Sequence, residues 1–340
     1  MRVLLTGGAG YIGAHTAVAL IEAGHEVLVV DSFAASSPEA VRRVQTITGA
    51  TIPLLEADVR DEEALTSFMR EHAPIDAVIH FAGLKAVGES VEKPLHYYEV
   101  NLGSTISLLN VMAAEQVNTI VFSSSATVYG EPEQLPSTES SRTGLDLPNP
   151  YGKTKRMIEE ILADTAAASP SMRAVSLRYF NPVGAHSSGL IGEDPHGLPT
   201  NLMPIVARVA LGTMPHVSIY GDDYDTPDGT GLRDYIHVTD LAAGHVAALE
   251  AARPGYNIFN LGTGTPVSVR ELISAFERAS GREIPVVVTG RRAGDVAASY
   301  AAVSKAEAEL GWSAQRSIEQ ACAEYWNWQQ KNPNGYDTAS

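Results

Sequence analysis

The sequence is poor in cysteine, in positive charge and in long apolar runs. Its 340 residues include one cysteine, Cys322, which excludes an intrachain disulfide. No apolar run approaches the roughly 18 residues of a membrane-spanning helix. Lys and Arg number 24 against 40 Asp and Glu, and the net charge of −16 argues against nucleic acid or an anionic membrane as partner. The chain begins directly with a strand-like run, so we expect no signal peptide and a cytoplasmic location.

Glycines are placed in a pattern near the start of the chain. Gly7, Gly10 and Gly13 follow an apolar run and precede a helical stretch. The first glycine suits a tight turn, the second lets the backbone approach a pyrophosphate, and the third lets the helix pack closely on the strand. Asp31 ends the next strand-like run, where it can accept ribose hydroxyls and would repel a 2′-phosphate. The pattern predicts a site for NAD, with the phosphates at a helix N-terminus.

Apolar strand-like runs alternate with helical patterns through the first half of the chain. The strand-like runs lie at 2–6, 26–31, 51–55, 76–81, 118–124 and 173–179. The helical patterns lie at about 11–23, 38–48, 61–71, 90–116 and 151–168. This alternation predicts an α/β fold with a Rossmann-type doubly wound parallel sheet, and ligands beyond the carboxyl ends of its strands.

The composition shifts after residue 180 toward Gly, Pro, Asn and Asp. Looser strands are predicted near 216–220, 256–259 and 284–288. Helices are predicted near 199–211, 238–252, 267–279 and 316–330. We therefore expect an NAD-binding Rossmann domain over 1–180, with interleaved later segments, and a smaller α/β substrate-binding lobe over 181–340.

Tyr151 and Lys155 are spaced for acid–base chemistry. A helix places positions i and i+4 on one face, so the Lys155 ammonium should lie beside the Tyr151 phenol. The phenol has an unperturbed pKa of about 10, and an adjacent cation favours its ionised form. Ser125, at the end of a strand-like run, could share the proton during transfer to or from a sugar alcohol. A tyrosine and a lysine at this spacing are weak evidence for a catalytic site by themselves. The glycine pattern near the start of the chain strengthens that interpretation.

Long segments of the chain match a known family in order. They are TGGAGYIG at 6–13, HFAGLKAVGES at 80–90, SSSATVYG at 123–130, NPYGKTK at 149–155, RYFNPVGAH at 178–186, GEDP at 192–195, NLMP at 201–204, GDDYDTPDGTGLRDYIHV at 221–238 and NLGTG at 260–264. With these segments the chain resembles the extended short-chain dehydrogenases/reductases and, within that superfamily, the UDP-glucose 4-epimerase family over nearly its full length.

The resemblance implies a role for each matching residue. It makes Tyr151 the base, Lys155 its electrostatic partner and Ser125 the hydroxyl that bridges to the sugar. The cofactor contacts it implies are Gly7, Gly10, Tyr11, Ile12, Gly13, Asp31, Ser32, Asp58, Val59, Phe81, Ala82, Gly83, Lys85, Asn101, Ser123, Tyr151, Lys155, Tyr179 and Phe180. The substrate contacts it implies are Lys85, Ser125, Tyr151, Asn181, Asn201, Leu202, Ser218, Tyr220, Arg233, Tyr235, Arg292, Asp295 and Ser299. Ser32 and Ala35 depart from the family, which often has asparagine at both positions.

The implied activity is inversion at carbon 4 of a UDP-hexose through a transient 4-keto sugar. NAD would accept a hydride and return it, so we expect it to stay tightly bound. A nucleotide-sugar 4,6-dehydratase would share the first step, but its family supplies Asp-Glu after the threonine of the catalytic strand, and residues 126–129 here contain no acid. A non-catalytic NAD-binding regulator is the other alternative, and it has no need of a base.

Ser299 bears on how wide the substrate range is. In the resembling family this position lines the space around the substituent at sugar carbon 2, and a tyrosine there restricts the site to plain hexoses. A serine predicts activity on UDP-N-acetylglucosamine and UDP-N-acetylgalactosamine as well. Tyr300 is adjacent, and a register shift of one residue would place it at this position instead.

Assembly and metal binding complete the expectations. The resemblance implies a homodimer, built through the helices near 90–116 and 151–168. We expect no metal, because His80 has no partner at metal-ligand spacing. The acidic stretch 222–229 fails as a calcium loop, since Pro227 occupies the third ligand position and no glutamate follows at the required distance.

Overall fold

The main element is a parallel sheet that confirms the predicted α/β fold. The computed structural model describes residues 1–144, 147–195, 197, 199–292 and 294–337. Within these residues, seven strands form one sheet in the order β11-β6-β5-β4-β1-β2-β3. Their bounds are β1 (Arg2–Thr6), β2 (Glu26–Asp31), β3 (Leu54–Glu56), β4 (Ala77–His80), β5 (Thr119–Ser125), β6 (Arg173–Tyr179) and β11 (Gly255–Leu261). Every pairing between neighbours is parallel.

Helices cover both faces of this sheet. The α-helices of the described residues are α1 (Tyr11–Glu22), α2 (Pro38–Thr48), α3 (Glu62–Glu71), α4 (Val87–Glu92), α5 (Pro94–Ala114), α6 (Pro150–Ala168), α7 (Leu202–Ala210), α8 (Val238–Glu250), α9 (Val269–Ser280), α10 (Ser304–Leu310) and α11 (Ile318–Lys331). Alternate strand residues enter two cores. Leu5 and Val121 face one that includes α1 and α8, whereas Leu4 and Phe122 face the other, with α3, α5 and α6.

The single helix predicted over 90–116 is wrong. The structure has two helices, α4 and α5, which meet at Lys93 and Pro94. Proline lacks a backbone N–H and clashes with the preceding turn, so it suits the first turn of a helix and breaks a helix interior. Pro94 therefore begins α5 instead of lying within one long helix.

Short strands form three small sheets beyond the main one. Their bounds are β7 (Asn181–Val183), β8 (Val217–Tyr220), β9 (Leu232–Arg233), β10 (Tyr235–His237), β12 (Val267–Ser268), β13 (Val286–Thr289) and β14 (Ala298–Ser299). Within the described residues the pairs are β10 with β7, β13 with β8, and β9 with both β12 and β14. The domain division at residue 180 stays a prediction, and β11 joins the main sheet from beyond it.

The carboxyl ends of the central strands meet at one edge of the sheet. Thr6 is in register with His80, and Ser125 with Tyr179. The glycine turn leaves β1 at this edge, and Asp31 ends β2 there. The sheet therefore gathers residues from distant parts of the sequence into one cleft edge.

Candidate active site

The turn after β1 has room only for glycine at two positions. Gly7 has a φ of 70°, and a Cβ on it would lie 2.7 Å from the backbone nitrogen of Ala82. A Cβ on Gly13 would lie 2.5 Å from the carbonyl oxygen of Gly7. Both contacts are closer than real Cβ atoms allow. The two glycines thus let α1 and the chain after β4 approach the turn closely.

The N-terminus of α1 offers donors to an anion. Gly10 is its N-cap residue and has no side chain that could satisfy the first amides. Among the described residues, the amides of Tyr11 and Ile12 donate to no protein acceptor. Free N–H groups and the helix dipole favour a phosphate at such a terminus. The Tyr11 hydroxyl donates to the Gly184 carbonyl at 2.6 Å, which ties this turn to the chain after β7.

Asp31 is buried, and hydrogen bonds from nearby residues orient its carboxylate. One carboxylate oxygen accepts the Ala9 amide at 2.9 Å, and the other accepts the Phe33 amide at 2.9 Å and the Ser36 hydroxyl at 2.7 Å. A carboxylate has about four acceptor sites, so it can also accept ribose hydroxyls. The glycine turn, the free amides and this acid fit a dinucleotide. The neighbouring Ser32 is exposed.

Further predicted cofactor contacts follow the strands β3 and β4 or lie on α5. Val59 is buried, and Asp58 is exposed and pairs with Arg60 at 2.7 Å, which lowers the pKa of that carboxyl. Asn101 binds the backbone of Leu84 on both sides, accepting its amide at 2.7 Å and donating to its carbonyl at 3.1 Å. Asn101 therefore shapes the loop that carries Gly83 and Lys85.

Tyr151, Lys155 and Ser125 lie together at the ends of α6 and β5. Asn149 caps α6 by accepting the Gly152 amide at 2.8 Å, and this fixes the turn that carries Tyr151. The Ser125 hydroxyl lies near the Tyr151 phenol and lowers its pKa. The Lys155 ammonium donates to the Ser123 carbonyl at 2.6 Å and lies 5.7 Å from the centre of the Tyr151 ring.

Burial controls the electrostatics of the pair. It lowers the pKa of Lys155 to about 7, although the nearby Glu159 carboxylate acts in the opposite direction. Burial also raises the pKa of Tyr151, and the Ser125 hydroxyl only partly offsets this. In the protein alone, burial is therefore the larger influence on this phenol. A positive charge beside the phenol would be needed to favour its ionised form.

Tyr179 and Phe180 follow at the end of the neighbouring strand β6. Both are buried. The Tyr179 hydroxyl is hydrogen-bonded to Nε2 of His245 on α8. His245 was missed by sequence reasoning, since a histidine inside a helix gives no pattern that points to a site.

The predicted nucleotide-sugar residues form two groups. In the first, the Arg292 guanidinium lies 5.3 Å from the centre of the exposed Tyr220 ring at the end of β8, the strand that also carries Ser218. Arg292 also pairs with Asp295 at 3.0 Å. An arginine and an aromatic ring arranged this way can bind a charged, planar nucleotide.

The second group follows the short strands. Ser299 on β14 is in register with Arg233 on β9, and Tyr235 on β10 is in register with Asn181 on β7. The Asn181 amide donates to the Asp234 carbonyl at 2.9 Å, which joins the two pairs.

Asn201 and Lys85 meet at a residue that the sequence did not single out. Asn201 precedes Leu202 at the start of α7 and donates to Glu193 at 2.8 Å. The Lys85 ammonium lies 3.6 Å from the same carboxylate, which is buried. Glu193 belongs to the segment GEDP, so the family resemblance held a signal for it.

Both ring nitrogens of the buried His80 have protein partners. His80 is hydrogen-bonded to Thr6 at 2.7 Å and to Thr105 at 3.1 Å. Across the described ranges, no three His, Cys, Asp or Glu side chains are grouped to hold a metal ion. In the same part of the chain, no helix has the length and apolar character to cross a membrane.

The chain matches a known protein family over most of its length. Residues 3–262 match the NAD dependent epimerase/dehydratase family, and the chain belongs to this family. More particularly, it is 54% identical over 345 residues to a UDP-glucose 4-epimerase of Bos taurus, with 99% of each chain covered. A UDP-glucose 4-epimerase of Bacillus subtilis is 54% identical over the full length of both chains. A solved UDP-glucose 4-epimerase of Bifidobacterium longum, in complex with NAD+ and UDP, has a TM-score of 0.95 and 55% identity, covering 98% of this chain and all of its own.

Proposed function

We propose that this protein is an NAD-dependent epimerase that inverts carbon 4 of a UDP-hexose, converting UDP-galactose to UDP-glucose and the reverse. One observation carries the proposal. Tyr151, beside the Ser125 hydroxyl that lowers the pKa of its phenol, lies at the same sheet edge as a glycine turn that fits a dinucleotide. The relatives that share the whole chain at over 50% identity are named for this reaction.

The chain's own residues account for the proton transfers. Tyr151, as phenolate, takes the proton of the hydroxyl at sugar carbon 4, and the nearby Ser125 hydroxyl can share that proton. NAD would accept the hydride from carbon 4 and later return it, so no net oxidation results. After the 4-keto sugar has turned over, Tyr151 gives the proton back to the new hydroxyl. Lys155 holds the end of β5 through the Ser123 carbonyl.

Binding at the nucleotide end explains how the sugar can turn. Arg233 and Arg292 are suited to a diphosphate, and Tyr220 offers an exposed ring to the uracil. If affinity resides in these contacts, the hexose itself needs few fixed contacts. Both faces of the 4-keto sugar can then be presented to the same base and cofactor.

A product assay on the purified protein tests this function. We expect it to carry NAD without any being added, and to convert UDP-galactose to UDP-glucose with no net change in nicotinamide absorbance. Build-up of free NADH in proportion to product would identify a dehydrogenase. A 4-keto-6-deoxy product would identify a dehydratase, and no product at all would identify a non-catalytic NAD-binding protein.

We propose that N-acetylated UDP-hexoses are also substrates. Ser299 supports this proposal, because its register with Arg233 directs both side chains to the same face of their small sheet. Tyr300 follows Ser299 and points to the opposite face in an extended chain. Its carbonyl accepts the Ser137 amide at 3.0 Å, on the far side from β9. This supports Ser299, rather than Tyr300, as the residue beside the sugar.

We also propose a homodimer located in the cytoplasm. Large apolar side chains are exposed on three helices, namely Val91 on α4, Leu95 and Ile106 on α5, and Met157 on α6. Leu95 is 81% exposed and Val91 60%, which is unusual for such residues unless a partner covers them. Helices α5 and α6 pack on each other and can form a four-helix interface with a second copy. The single cysteine suits a reducing compartment.

A further inference from the structure

His245 lies beneath the end of the catalytic strands and has no role in the proposed chemistry. It is fully buried on α8. Its Nδ1 lies 2.8 Å from the Leu241 carbonyl, and its Nε2 is hydrogen-bonded to the Tyr179 hydroxyl. Both ring nitrogens therefore have partners, one in its own helix and one on β6.

The partners fix the tautomer of the ring. A carbonyl oxygen can only accept, so Nδ1 must carry a proton and donate to Leu241. Burial lowers the pKa of His245 to about 4, although the bond to Leu241 opposes this shift, and the ring is neutral near pH 7. Nε2 is then an acceptor, and the Tyr179 hydroxyl donates to it.

The His245 ring lies between residues at the ends of two strands, β4 and β6. The His245 ring centre lies 5.0 Å from that of Phe81, after β4, and 5.2 Å from that of Tyr179. Tyr179 is in register with Ser125, and the Ser123 side chain lies near its phenol and lowers its pKa, although burial raises it more. The hydrogen bonds run from Tyr179 through His245 to Leu241 on α8.

We propose that His245 is a positioning residue that holds the Tyr179 hydroxyl and so fixes the tyrosine at the cofactor side of the cleft. The proposal rests on the proposed function, because the family resemblance behind that function makes Tyr179 a contact of the NAD cofactor. His245 contacts Phe81 and Tyr179 but none of the reacting groups Tyr151, Lys155 and Ser125 through its polar atoms. Its effect must therefore pass through the tyrosine.

A double-mutant cycle on the holoenzyme tests this coupling. His245→Phe keeps an aromatic ring and removes the acceptor, and Tyr179→Phe removes the hydroxyl. We expect each single variant to lower kcat about tenfold, with KM for UDP-galactose within about twofold, and to release bound NAD faster on dialysis. In the Tyr179→Phe background, His245→Phe should add less than about a twofold further loss in either measurement.

Two control variants remove similar groups elsewhere. His72 also places Nδ1 near the carbonyl four residues before it, at 2.9 Å, and the Tyr256 hydroxyl donates to Ser176 at 3.0 Å. His72→Phe and Tyr256→Phe should leave kcat and NAD retention unchanged. If His245→Phe does not fold, His245→Gln is used, whose side-chain oxygen can accept from Tyr179 and should retain most of the activity.

Equal losses from His245→Phe in both backgrounds would overturn the proposal, since they would indicate packing alone. No loss in the single variant would overturn it too, and so would His245→Gln if it were as impaired as Tyr179→Phe. Wild-type protein that binds NAD but does not epimerise UDP-galactose would refute the proposed function instead. The NAD-retention cycle would still decide the role of His245 in that case.

Discussion

At the scale of single residues, Tyr151 is the base of the proposed function, so we expect turnover to depend on it most directly. Tyr151→Phe keeps the ring and removes the proton acceptor. General base catalysis contributes roughly 10²–10⁴-fold, so kcat should fall by at least about that factor while NAD stays bound. Steady-state kinetics and the cofactor content of the variant check this. Near wild-type turnover would mean that Ser125 or another group takes the proton.

We expect Ser299 to determine which UDP-hexoses the protein accepts as substrates. Wild-type protein should interconvert UDP-N-acetylglucosamine and UDP-N-acetylgalactosamine, and Ser299→Tyr should lower kcat/KM for that pair roughly 10–100-fold by filling the space beside sugar carbon 2. UDP-galactose turnover should change little. The matched control is Ser299→Ala, which should keep both pairs of substrates. Wild-type protein that is inactive on the N-acetylated pair would contradict the proposal.

Sequence reasoning at this scale succeeded where chemistry depends on local spacing. The i and i+4 relation brought Tyr151 and Lys155 to one face, and the glycine spacing fitted a close turn. It could not give the effect of burial on the pKa of Tyr151, because desolvation depends on packing from distant segments. His245 could not be found either, since its partner Tyr179 is far away in the sequence.

At the scale of elements, a buried ion pair joins α6 to the catalytic strands. Glu159 on α6 accepts two bonds from Arg178 on β6, at 2.9 and 2.8 Å, and one from Ser124 on β5 at 2.6 Å. Glu159→Leu would leave the arginine charge buried without its carboxylate partner. We expect a loss of about 3–5 kcal/mol in the free energy of unfolding, measured by urea denaturation.

The neighbouring Glu160 provides the control for this prediction. Its side chain is exposed and pairs with Arg156 at 2.9 Å. Exposed pairs of this kind contribute about 0–1 kcal/mol to stability. Glu160→Leu should therefore lower the free energy of unfolding by less than about 1 kcal/mol. Equal effects of the two substitutions would contradict a special role for the buried pair.

Element boundaries were predictable where a local signal marks them. Asn149 and Pro150 begin α6, and Ser268 with Glu271 forms a capping box that begins α9. Pro94 carried the same kind of signal for the break before α5. The two- and three-residue strands had none, because so few residues cannot show an alternating pattern and form only where a partner strand is placed beside them.

At the scale of the whole molecule, the proposed dimer can be tested by one charge. Leu95→Glu places a carboxylate in the proposed apolar interface, where burial without a partner is costly. Light scattering after size exclusion should show the mass of a dimer for wild type and of a monomer for the variant. Val288 is also exposed, on β13, and Val288→Glu should remain dimeric. A monomeric wild type would refute the proposal.

Buried neutral histidines should make the whole fold sensitive to acid. Burial lowers the pKa of His15 and His80 to about 3 and that of His245 to about 4. Between these values and about 6.5, the unfolded chain binds protons that the folded chain does not, so stability falls as pH falls through this window. Each histidine adds up to about 1.4 kcal/mol per pH unit to the slope.

Urea denaturation at a series of pH values from 7 to about 4.5 measures this slope. Replacing one of the three, as in His80→Gln, should reduce it by the contribution of one proton. An unchanged slope in that variant would show that other groups dominate the acid response.

The position of β11 has a consequence for how the protein is made. This strand pairs with β6 and completes the main sheet, yet β6 ends at Tyr179 and β11 begins only at Gly255. The ribosome must therefore add the whole intervening stretch, on the order of ten seconds of synthesis, before β6 gains its outer neighbour. Until then β6 is an open edge, available to other chains. A nascent chain that stops before Gly255 carries the glycine turn and Tyr151, the proposed base, but leaves this edge uncovered.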